Sequence, residues 1–133
     1  MSIIREQLPY TLDEFNAEDL GQRYKGKVRE NFHLDNEIIM VTTDRVSAFD
    51  HVLGTIPFKG QILTEIANFW FDKTKHIVQN HIISSPYPQV LVAKKAETLP
   101  VEVIVRGYIT GSLWREYEKG INGQYGFMLP DGL

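Results

Sequence analysis

The feature that most constrains the fold is an alternating run of β-branched residues that ends at a glycine. The run V-E-V-I-V-R puts Val101, Val103 and Val105 on one face of an extended segment. This pattern fits a pleated, mostly buried sheet. The alternation stops at Gly107. The sequence therefore predicts a strand over these residues that carries Arg106 to its end.

A short helix is predicted shortly after this strand. Ser112 stands at the N-cap position behind Gly111, and Gly120 is a suitable stop. A helix N-terminus offers unpaired N–H groups and partial positive charge, and glycine lets an anion come close. Because Arg106 adds a two-pronged donor, we predict an anion site at Arg106, Gly111 and Ser112. The alternative is a plain strand–turn–helix corner with Arg106 in a surface ion pair.

Composition excludes several classes of protein. The chain has 133 residues, which is one domain by length and enough for a core. Its net charge of −3 gives no basic footprint, so a nucleic-acid partner is not expected. The absence of cysteine excludes disulfides and thiolate metal sites and fits a reducing compartment. No apolar run approaches the ~20 residues of a membrane span, and the N-terminus lacks a signal-peptide pattern, so we expect a cytoplasmic protein without a membrane partner.

Two runs around a polar turn predict a β-hairpin over residues 24–43. The first run opens with Y-K-G-K-V-R-E, where Gly26 would let a phosphate approach the backbone. Lys27 and Arg29 share a face at period two and would supply positive charge. The alternative is that both cations lie on a solvated strand face.

A polar loop is predicted directly after the hairpin. The stretch T-D-R-V-S-A-F-D brings Arg45, Ser47 and Asp50 into a few residues. Loops on rigid scaffolds are where binding residues collect. The alternative is a turn whose Asp and Ser side chains satisfy the loop's own backbone.

A helix is predicted from about residue 61 to residue 73, with an apolar stripe that faces the core. Lys59 stands just before this helix, where a cation opposes the helix dipole. A bound anion would remove the conflict, and a chance surface lysine is the alternative. The residues of the stripe are Ile62, Ile66, Phe69 and Trp70.

A further strand is predicted over residues 90–95. The connector from residue 96 to residue 100 is too short for a crossover helix, so this strand and the one from Val101 are expected to be antiparallel neighbours or a bent pair. The four histidines lack the spaced partners of a metal site. We therefore predict no metal ligands.

Taken together, six stretches resemble the SAICAR synthetase family of purine biosynthesis, in the same order and spacing from about residue 20 to the end. The first five are Y-K-G-K-V-R-E, T-D-R-V-S-A-F-D, K-G-Q-I-L-T-E-I-A-N-F-W-F, N-H-I-I-S and K-K-A-E-T-L-P-V-E-V-I-V-R-G-Y-I-T-G-S. The sixth is the terminal L-P-D-G-L. Six motifs in order make the resemblance highly specific.

The resemblance implies both an activity and a fold. The family joins the carboxylate of CAIR, a phosphoribosyl aminoimidazole carboxylate, to the amine of L-aspartate, and ATP and Mg²⁺ activate the carboxylate through an acyl phosphate. The implied fold class is α+β, an ATP-grasp/kinase-like fold. Residues 1–100 would form its antiparallel β-rich, nucleotide-binding lobe and residues 101–133 the start of an α/β lobe, with ATP between the lobes.

The resemblance also assigns site residues in two groups. The ATP group is Gly26, Lys27, Arg29, Lys95, Glu97, Thr98 and Leu99. The substrate group is Arg106, Gly111, Ser112, Arg45, Ser47, Asp50 and Lys59. In the first group, residues 26–29 would cover the phosphates and residues 97–99 would hold adenine through backbone groups. In the second, Arg106 and Ser112 match the family's CAIR-binding motif.

One departure from the family is large. Its members extend well beyond residue 133, and their further part supplies the acidic Mg²⁺ ligands and much of the aspartate site. We therefore expect this chain to be a truncated form without a complete active site. The alternatives are a non-catalytic nucleotide- or phosphate-binding module completed by another chain, and a fragment that folds poorly alone. An open sheet edge or exposed apolar face would favour a homo-oligomer.

Overall fold

The computed structural model describes residues 2–123 and 125–132. In chain order the strands are β1 (Gln22–Lys25), β2 (Arg29–His33), β3 (Glu37–Thr42), β4 (Arg45–Ala48), β5 (His51–Thr55), β6 (Ile82–Tyr87) and β7 (Val90–Lys94). The α-helices are α1 (Ile3–Gln7), α2 (Lys59–Thr74) and α3 (Ser112–Glu118). Two short 3-10 turns lie at Leu8–Tyr10 and Glu18–Leu20.

An antiparallel sheet with strand order β1-β2-β3-β7-β6 forms the centre of the first unit. The predicted hairpin is confirmed, because β2 pairs with β3 and Arg29 lies opposite Thr42. Its first run is broken at Gly26, however, and the segment before the break forms β1, which pairs back onto β2. Lys27 therefore lies in a turn, and the prediction that it shares a strand face with Arg29 is wrong.

The polar stretch after β3 is also more regular than predicted. Strands β4 and β5 pair with each other, with a bulge between Val46 and Ser47. Their turn contains Phe49 and Asp50 with φ of 49° and 66°, a left-handed conformation that non-glycine residues seldom adopt. The predicted loop is therefore a strand hairpin with a strained tip.

Helix α2 is confirmed, but its predicted core face is wrong. Phe69 and Trp70 are 54% and 59% exposed, whereas Gly60 and Thr64 are buried. A Cβ on Gly60 would clash with the Thr42 carbonyl oxygen, so only glycine lets the helix come this close to β3. The small-residue face therefore packs on the sheet, and the apolar stripe lies outside.

Apolar packing in the sheet centres on Phe32, which is fully buried and meets the edge of the Phe15 ring at a centroid distance of 5.9 Å. A run of buried polar residues begins at the last residue of β3 and ends at the first residue of β4, from Thr42 to Arg45. Buried polar groups need hydrogen-bond partners. The partners of this run, described below, connect the sheet to the turns around it.

The strand predicted from Val101 is wrong. The backbone there is irregular, and Val103 and Val105 are 79% and 92% exposed. The expected neighbour, β7, already bonds to β3 on one side and to β6 on the other. It therefore has no free edge to offer, and an extended segment without a partner strand forms no ladder.

Helix α3 and its stop at Gly120 are confirmed. Gly120 has φ of 72°, and its N–H donates to the Tyr117 carbonyl at 2.9 Å. The Ile121 N–H donates to the Glu116 carbonyl at 3.0 Å, which completes a Schellman motif. The N-cap assignment is wrong by one residue, because the cap is Gly111, with φ of 73°, and Ser112 is the first helical residue.

The chain divides into two compact units, Met1–Glu97 and Thr98–Leu133. The first contains the sheet, the β4–β5 hairpin and α2; the second contains α3 and the segments on either side of it. Within the described residues, no helix has the length and apolar character that a membrane crossing requires.

Candidate functional site

The β1–β2 turn (residues 26–29) contains three of the predicted ATP residues. The Gly26 N–H donates to the Arg29 carbonyl at 2.8 Å and closes the turn. The exposed ammonium of Lys27 forms an ion pair with the Asp50 carboxylate from the β4–β5 turn. This hydrogen bond raises the pKa of Lys27 and lowers the pKa of Asp50 relative to their ordinary values. The structure thus joins a predicted ATP residue to a predicted substrate residue.

Arg29 lies at the start of β2, and its side chain lines a different space. A cavity of about 290 Å³ lies between the sheet and α2. Its walls include Arg29, Met40, Thr64 and Phe71. Arg29 therefore places a cation beside a partly apolar cavity on the helix-covered face of the sheet.

Lys95 lies at the opposite end of the sheet from the β1–β2 turn. Its N–H donates to the Asn36 carbonyl at 2.9 Å, and its ammonium approaches the Leu34 carbonyl at 3.4 Å. The length of β3, Glu37–Thr42, separates the two ends by about 17 Å at the usual strand rise. A single ligand would have to run along the strands to reach both.

The predicted adenine-binding residues lie where one unit ends and the next begins. Glu97 is the last residue of the first unit, and Thr98 and Leu99 open the second. All three are exposed, and the Leu99 carbonyl accepts a hydrogen bond from the Val101 N–H at 2.8 Å. The backbone N–H and C=O groups of Glu97 and Thr98 have no hydrogen-bond partner among the residues that the structure describes.

The anion that the position of Lys59 predicted is part of the protein. The buried Asp44 carboxylate accepts the Gly60 N–H in the first turn of α2 at 2.8 Å and the Leu12 N–H at 2.8 Å. A carboxylate at a helix N-terminus is favourable because of the helix dipole. Sequence reasoning missed Asp44, although the cation at the helix start was a signal that an anion lies nearby.

Arg45 and Ser47 come from the same short strand and have different surroundings. Arg45 is 3% exposed, and its Nη1 lies 2.7 Å from Oε1 of the fully buried Glu30. Ser47 is half-buried opposite Val52 in β5. Glu30 was also missed, and its only sequence signal was a charged residue on an alternating strand.

In the second unit, two of the three predicted anion-site residues, Arg106 and Ser112, line one cavity. The cavity has a volume of about 550 Å³, and Arg106, Ser112, Tyr108 and Leu113 are among the residues that line it. The Arg106 guanidinium donates to Thr110 Oγ1 at 3.2 Å, and its Nη2 would lie 3.6 Å from a Cβ on Gly111. The guanidinium therefore lies against the residue that precedes α3.

Ser112 has an internal partner as well. Its Oγ accepts a hydrogen bond from Arg115 Nη2 at 3.1 Å, one turn further along α3. A second cation thus lies close to the Arg106 cavity, since Ser112 is part of the cavity wall. Neither Thr110 nor Arg115 was predicted, although both lie in or beside the R-G-Y-I-T-G-S motif.

Acidic and histidine side chains do not gather anywhere in the part of the chain that the structure describes. Among those residues, no group of three or more His, Asp or Glu could hold a metal ion. The residues present therefore do not fit a Mg²⁺ site of their own.

The comparisons with known proteins agree with the motifs. A model of the SAICAR synthetase family matches residues 22–130. The chain belongs to the SAICAR synthetase family. It is 47% identical over 130 residues to a phosphoribosylaminoimidazole-succinocarboxamide synthase from Legionella pneumophila and 44% identical over 141 residues to the chloroplastic enzyme of that name from Arabidopsis thaliana. These alignments cover 95% and 100% of the chain.

Solved structures of the family have the same fold. A SAICAR-synthase from Saccharomyces cerevisiae complexed with SAICAR matches with a TM-score of 0.80 and 32% identity over 92% of the chain. A type-2 SAICAR synthetase in complex with ADP matches with a TM-score of 0.63 and 24% identity over 83% of the chain. These matches confirm the predicted mixed α and β fold with an antiparallel, ATP-grasp-like lobe.

The chain spans only part of each relative. It covers 41% of the Legionella protein and 34% of the Arabidopsis protein. It covers 49% of the yeast structure and 47% of the type-2 structure. The match therefore concerns the family's N-terminal portion, as predicted.

Proposed function

We propose that this chain provides the ATP-phosphate and CAIR contacts of a SAICAR synthetase, which joins CAIR to L-aspartate with ATP to give SAICAR, ADP and phosphate. The observation that carries the proposal is the position of the Arg106 guanidinium against Gly111, beside a cavity that Ser112 also lines. CAIR is an anion, and an exposed guanidinium beside a glycine backbone is suited to bind one.

The β1–β2 turn is the proposed phosphate site. Gly26 leaves the backbone accessible, and Lys27 extends an exposed ammonium from the turn. The pairing of Lys27 with Asp50 means that a bound phosphate would compete with a carboxylate for the same cation. Phosphates carry more charge than a carboxylate, so the exchange is favourable when nucleotide binds.

Lys95 and residues 97–99 are proposed for the other end of the nucleotide. The separation of Lys95 from the β1–β2 turn along the sheet supports a ligand with its phosphates at one end and its base at the other. The exposed backbone of Glu97 and Thr98 would provide donors and acceptors for adenine.

Ser47, Asp50 and Lys59 are proposed to lie on the substrate side. Lys59 begins α2, where Asp44 already supplies the anion for the helix dipole. This carboxylate offsets the unfavourable position of the Lys59 ammonium at a helix N-terminus, and the ammonium would contribute charge towards an anionic substrate.

The reaction would be a two-step acyl transfer. A CAIR carboxylate oxygen attacks the γ-phosphorus of ATP, and the β–γ bridging oxygen leaves with ADP. The aspartate amine then attacks the acyl carbon of the acyl phosphate, loses a proton and expels phosphate. The residues of this chain would contribute positioning and charge neutralisation. The described residues do not fit Mg²⁺, so no step is assigned to the metal.

An assay of the isolated chain tests how much of the activity it contains. SAICAR formation that requires both ATP and aspartate would exclude a non-catalytic nucleotide-binding module. Binding of ATP or CAIR without turnover would assign the chain the two binding functions alone. Its cytoplasmic location and its self-association stay predictions, and the chloroplastic name of the Arabidopsis relative makes location a property to measure.

Two variants separate the two sites. Arg106→Ala should weaken CAIR binding by about 1–3 kcal/mol, the range for a lost charged contact, with ATP binding nearly unchanged. Lys27→Ala should weaken ATP binding with CAIR binding nearly unchanged. Isothermal titration of each ligand with each variant gives the four affinities. The opposite pattern would show that the assignments are exchanged.

A further inference from the structure

Arg45 holds the β1–β2 turn from inside the protein. Its Nη2 donates to the Gly26 carbonyl at 2.9 Å and, over a longer distance, to the Arg29 carbonyl at 3.4 Å. Its Nε donates to the Lys27 carbonyl at 3.0 Å. Its Nη1 donates to the Asp13 carbonyl and to the Glu30 carboxylate, at 2.9 Å and 2.7 Å. All five N–H donors of the guanidinium therefore have protein acceptors.

The remaining carbonyl of the turn is held by Thr43. The Val28 carbonyl accepts both the Thr43 N–H at 3.0 Å and the Thr43 hydroxyl at 2.8 Å. The four carbonyl groups of residues 26–29 are thus bound to buried donors on the segment after β3. A carbonyl oxygen that is bound in this way cannot turn towards an incoming anion and repel it.

The amides of the turn are left for a ligand. In residues 2–123 and 125–132, no group accepts a hydrogen bond from the backbone N–H of Lys27 or of Val28. Consecutive unpaired N–H groups bind anions in many phosphate sites. In this turn the carbonyl oxygens, which would repel a phosphate, are bound to the protein, and the Lys27 and Val28 N–H groups, which would attract one, are unpaired among the described residues.

Arg45 is itself held in place. Glu30 is fully buried, and its Oε1 accepts from Arg45 while its Oε2 accepts from Arg23 Nε and Nη2 at 3.2 Å and 3.1 Å. The carboxylate compensates the buried positive charge, and the second arginine fixes the carboxylate. The guanidinium therefore has one orientation in which its fork meets the turn.

We propose that Arg45 is a positioning residue for nucleotide binding: together with Glu30, it holds the carbonyls of the β1–β2 turn inward, so that the Lys27 and Val28 amides and the Lys27 ammonium bind the phosphates. This inference rests on the proposed phosphate role of the turn. It gives Arg45 a function different from the substrate contact that the family resemblance implied.

The expected effect follows from preorganisation. If loss of the guanidinium fork lets the turn adopt other conformations for nine-tenths of the time, the apparent Kd for nucleotide rises about tenfold. Arg45→Lys keeps the positive charge opposite Glu30 but has no planar fork to reach three carbonyls. ADP affinity should fall about tenfold, while CAIR affinity should stay within about twofold.

Arg23→Met is the matched control for the buried cluster. It removes the two hydrogen bonds that Arg23 donates to Glu30 Oε2, and among the described contacts Arg23 donates to no carbonyl of residues 26–29. ADP affinity should fall by clearly less than in Arg45→Lys, because Arg45 keeps its own bonds to the turn carbonyls and to Glu30. Equal losses of ADP affinity in Arg23→Met and Arg45→Lys would point to general destabilisation and overturn the proposal.

The titrations distinguish this inference from the proposed function. If the unaltered chain does not bind ADP, or if Lys27→Ala binds it equally well, the phosphate role of the turn fails and this inference fails with it. If Lys27→Ala weakens ADP binding and Arg45→Lys does not, only the inference is overturned. Weaker CAIR binding and unchanged ADP binding in Arg45→Lys would restore the direct substrate contact.

A measurement on the unaltered chain covers the case in which Arg45→Lys does not fold. In ¹⁵N NMR titrations with ADP, the amide resonances of Lys27 and Val28 should be among those that shift most. The milder variant Thr43→Val, which loses one hydroxyl bond to the Val28 carbonyl, should reduce ADP affinity by less than Arg45→Lys. Unshifted amides in a chain that binds ADP would overturn the proposal.

Discussion

Arg45 and Arg106 stand in similar sequence motifs, but Arg45 is buried and Arg106 is exposed. Each stands among Ser, Thr or Gly residues in a short motif of the family. Arg45 is 3% exposed, and all of its donors meet protein acceptors. Arg106 is exposed, and Thr110 is its one hydrogen-bond acceptor among the described residues. One arginine is part of the structure, and the other is available to a ligand.

The difference between them comes from distant partners. Arg45 meets Glu30 because β2 pairs with β3, which brings residues fifteen positions apart within 2.7 Å. Arg106 follows a segment that has no paired strand, so it remains at the surface of its unit. An arginine in a motif therefore indicates a functional region, and the partners that the fold supplies decide between direct contact and support.

The largest loss of stability is expected from Glu30→Ala, which tests the buried arginine of this contrast. This variant leaves the buried Arg45 guanidinium without its counter-ion, and breaking a buried ion pair in this way costs about 3–5 kcal/mol. Urea unfolding followed by circular dichroism gives the free energy of unfolding. Arg106→Ala serves as the comparison and should change it by less than about 0.5 kcal/mol, the usual limit for surface sites. Equal stabilities of the two variants would remove the distinction between a buried and an available arginine.

A smaller effect is expected at two glycines, one from each unit. A Cβ on Gly60 would lie 2.6 Å from Gln89 Nε2 and closer still to the Thr42 carbonyl, whereas a Cβ on Gly107 has no atom within 4 Å. Gly60→Ala should therefore destabilise the chain by about 1–3 kcal/mol, as overpacking does. Gly107→Ala should be neutral or slightly stabilising. Thermal unfolding of both variants tests the contrast, and a neutral Gly60→Ala would show that α2 is not closely packed on β3.

Local patterns predicted local structure well. The hairpin of β2 and β3, helix α2 and the glycine stop of α3 depend on periodicity and caps within a few residues, and all are confirmed. The family's order of motifs predicted the fold class, which the yeast structure confirms. The type of these elements and the stop of α3 at Gly120 could therefore be read from the sequence.

Apart from the N-cap of α3 and the turn at Lys27, the errors concern partners that are distant in the chain. The strand from Val101 was predicted from its alternation, which cannot reveal that both edges of β7 are occupied. The buried face of α2 depends on how closely Gly60 approaches Thr42, and the spacing of apolar residues along a helix does not reveal that approach. The site residues stay predictions, and their grouping in space is the information that the structure adds.

The smallest effect is expected at the exposed pair of Lys27 and Asp50, which contrasts with the buried pair of Arg45 and Glu30. The pKa of Asp50 lies below its ordinary value of 3.8, so the stability it contributes is present above that pH and is lost as the pH falls through the lowered pKa. The pKa of Lys27 lies above 10.5, so its contribution is present below that pH and is lost as the pH rises through the raised pKa. The pair therefore contributes its full stability between these ordinary values.

Asp50→Asn should return the pKa of Lys27 towards its ordinary value, as measured by NMR titration of the Lys27 side chain. The ion pair of Lys75 and Asp72 in the same unit is equally exposed and should titrate as before. Because both partners of an exposed pair remain hydrated, the free energy of unfolding should hardly change, in contrast to Glu30→Ala. A large loss of stability in Asp50→Asn would mean that this pair holds the β4–β5 turn to the β1–β2 turn, and that the turn has a second support besides Arg45.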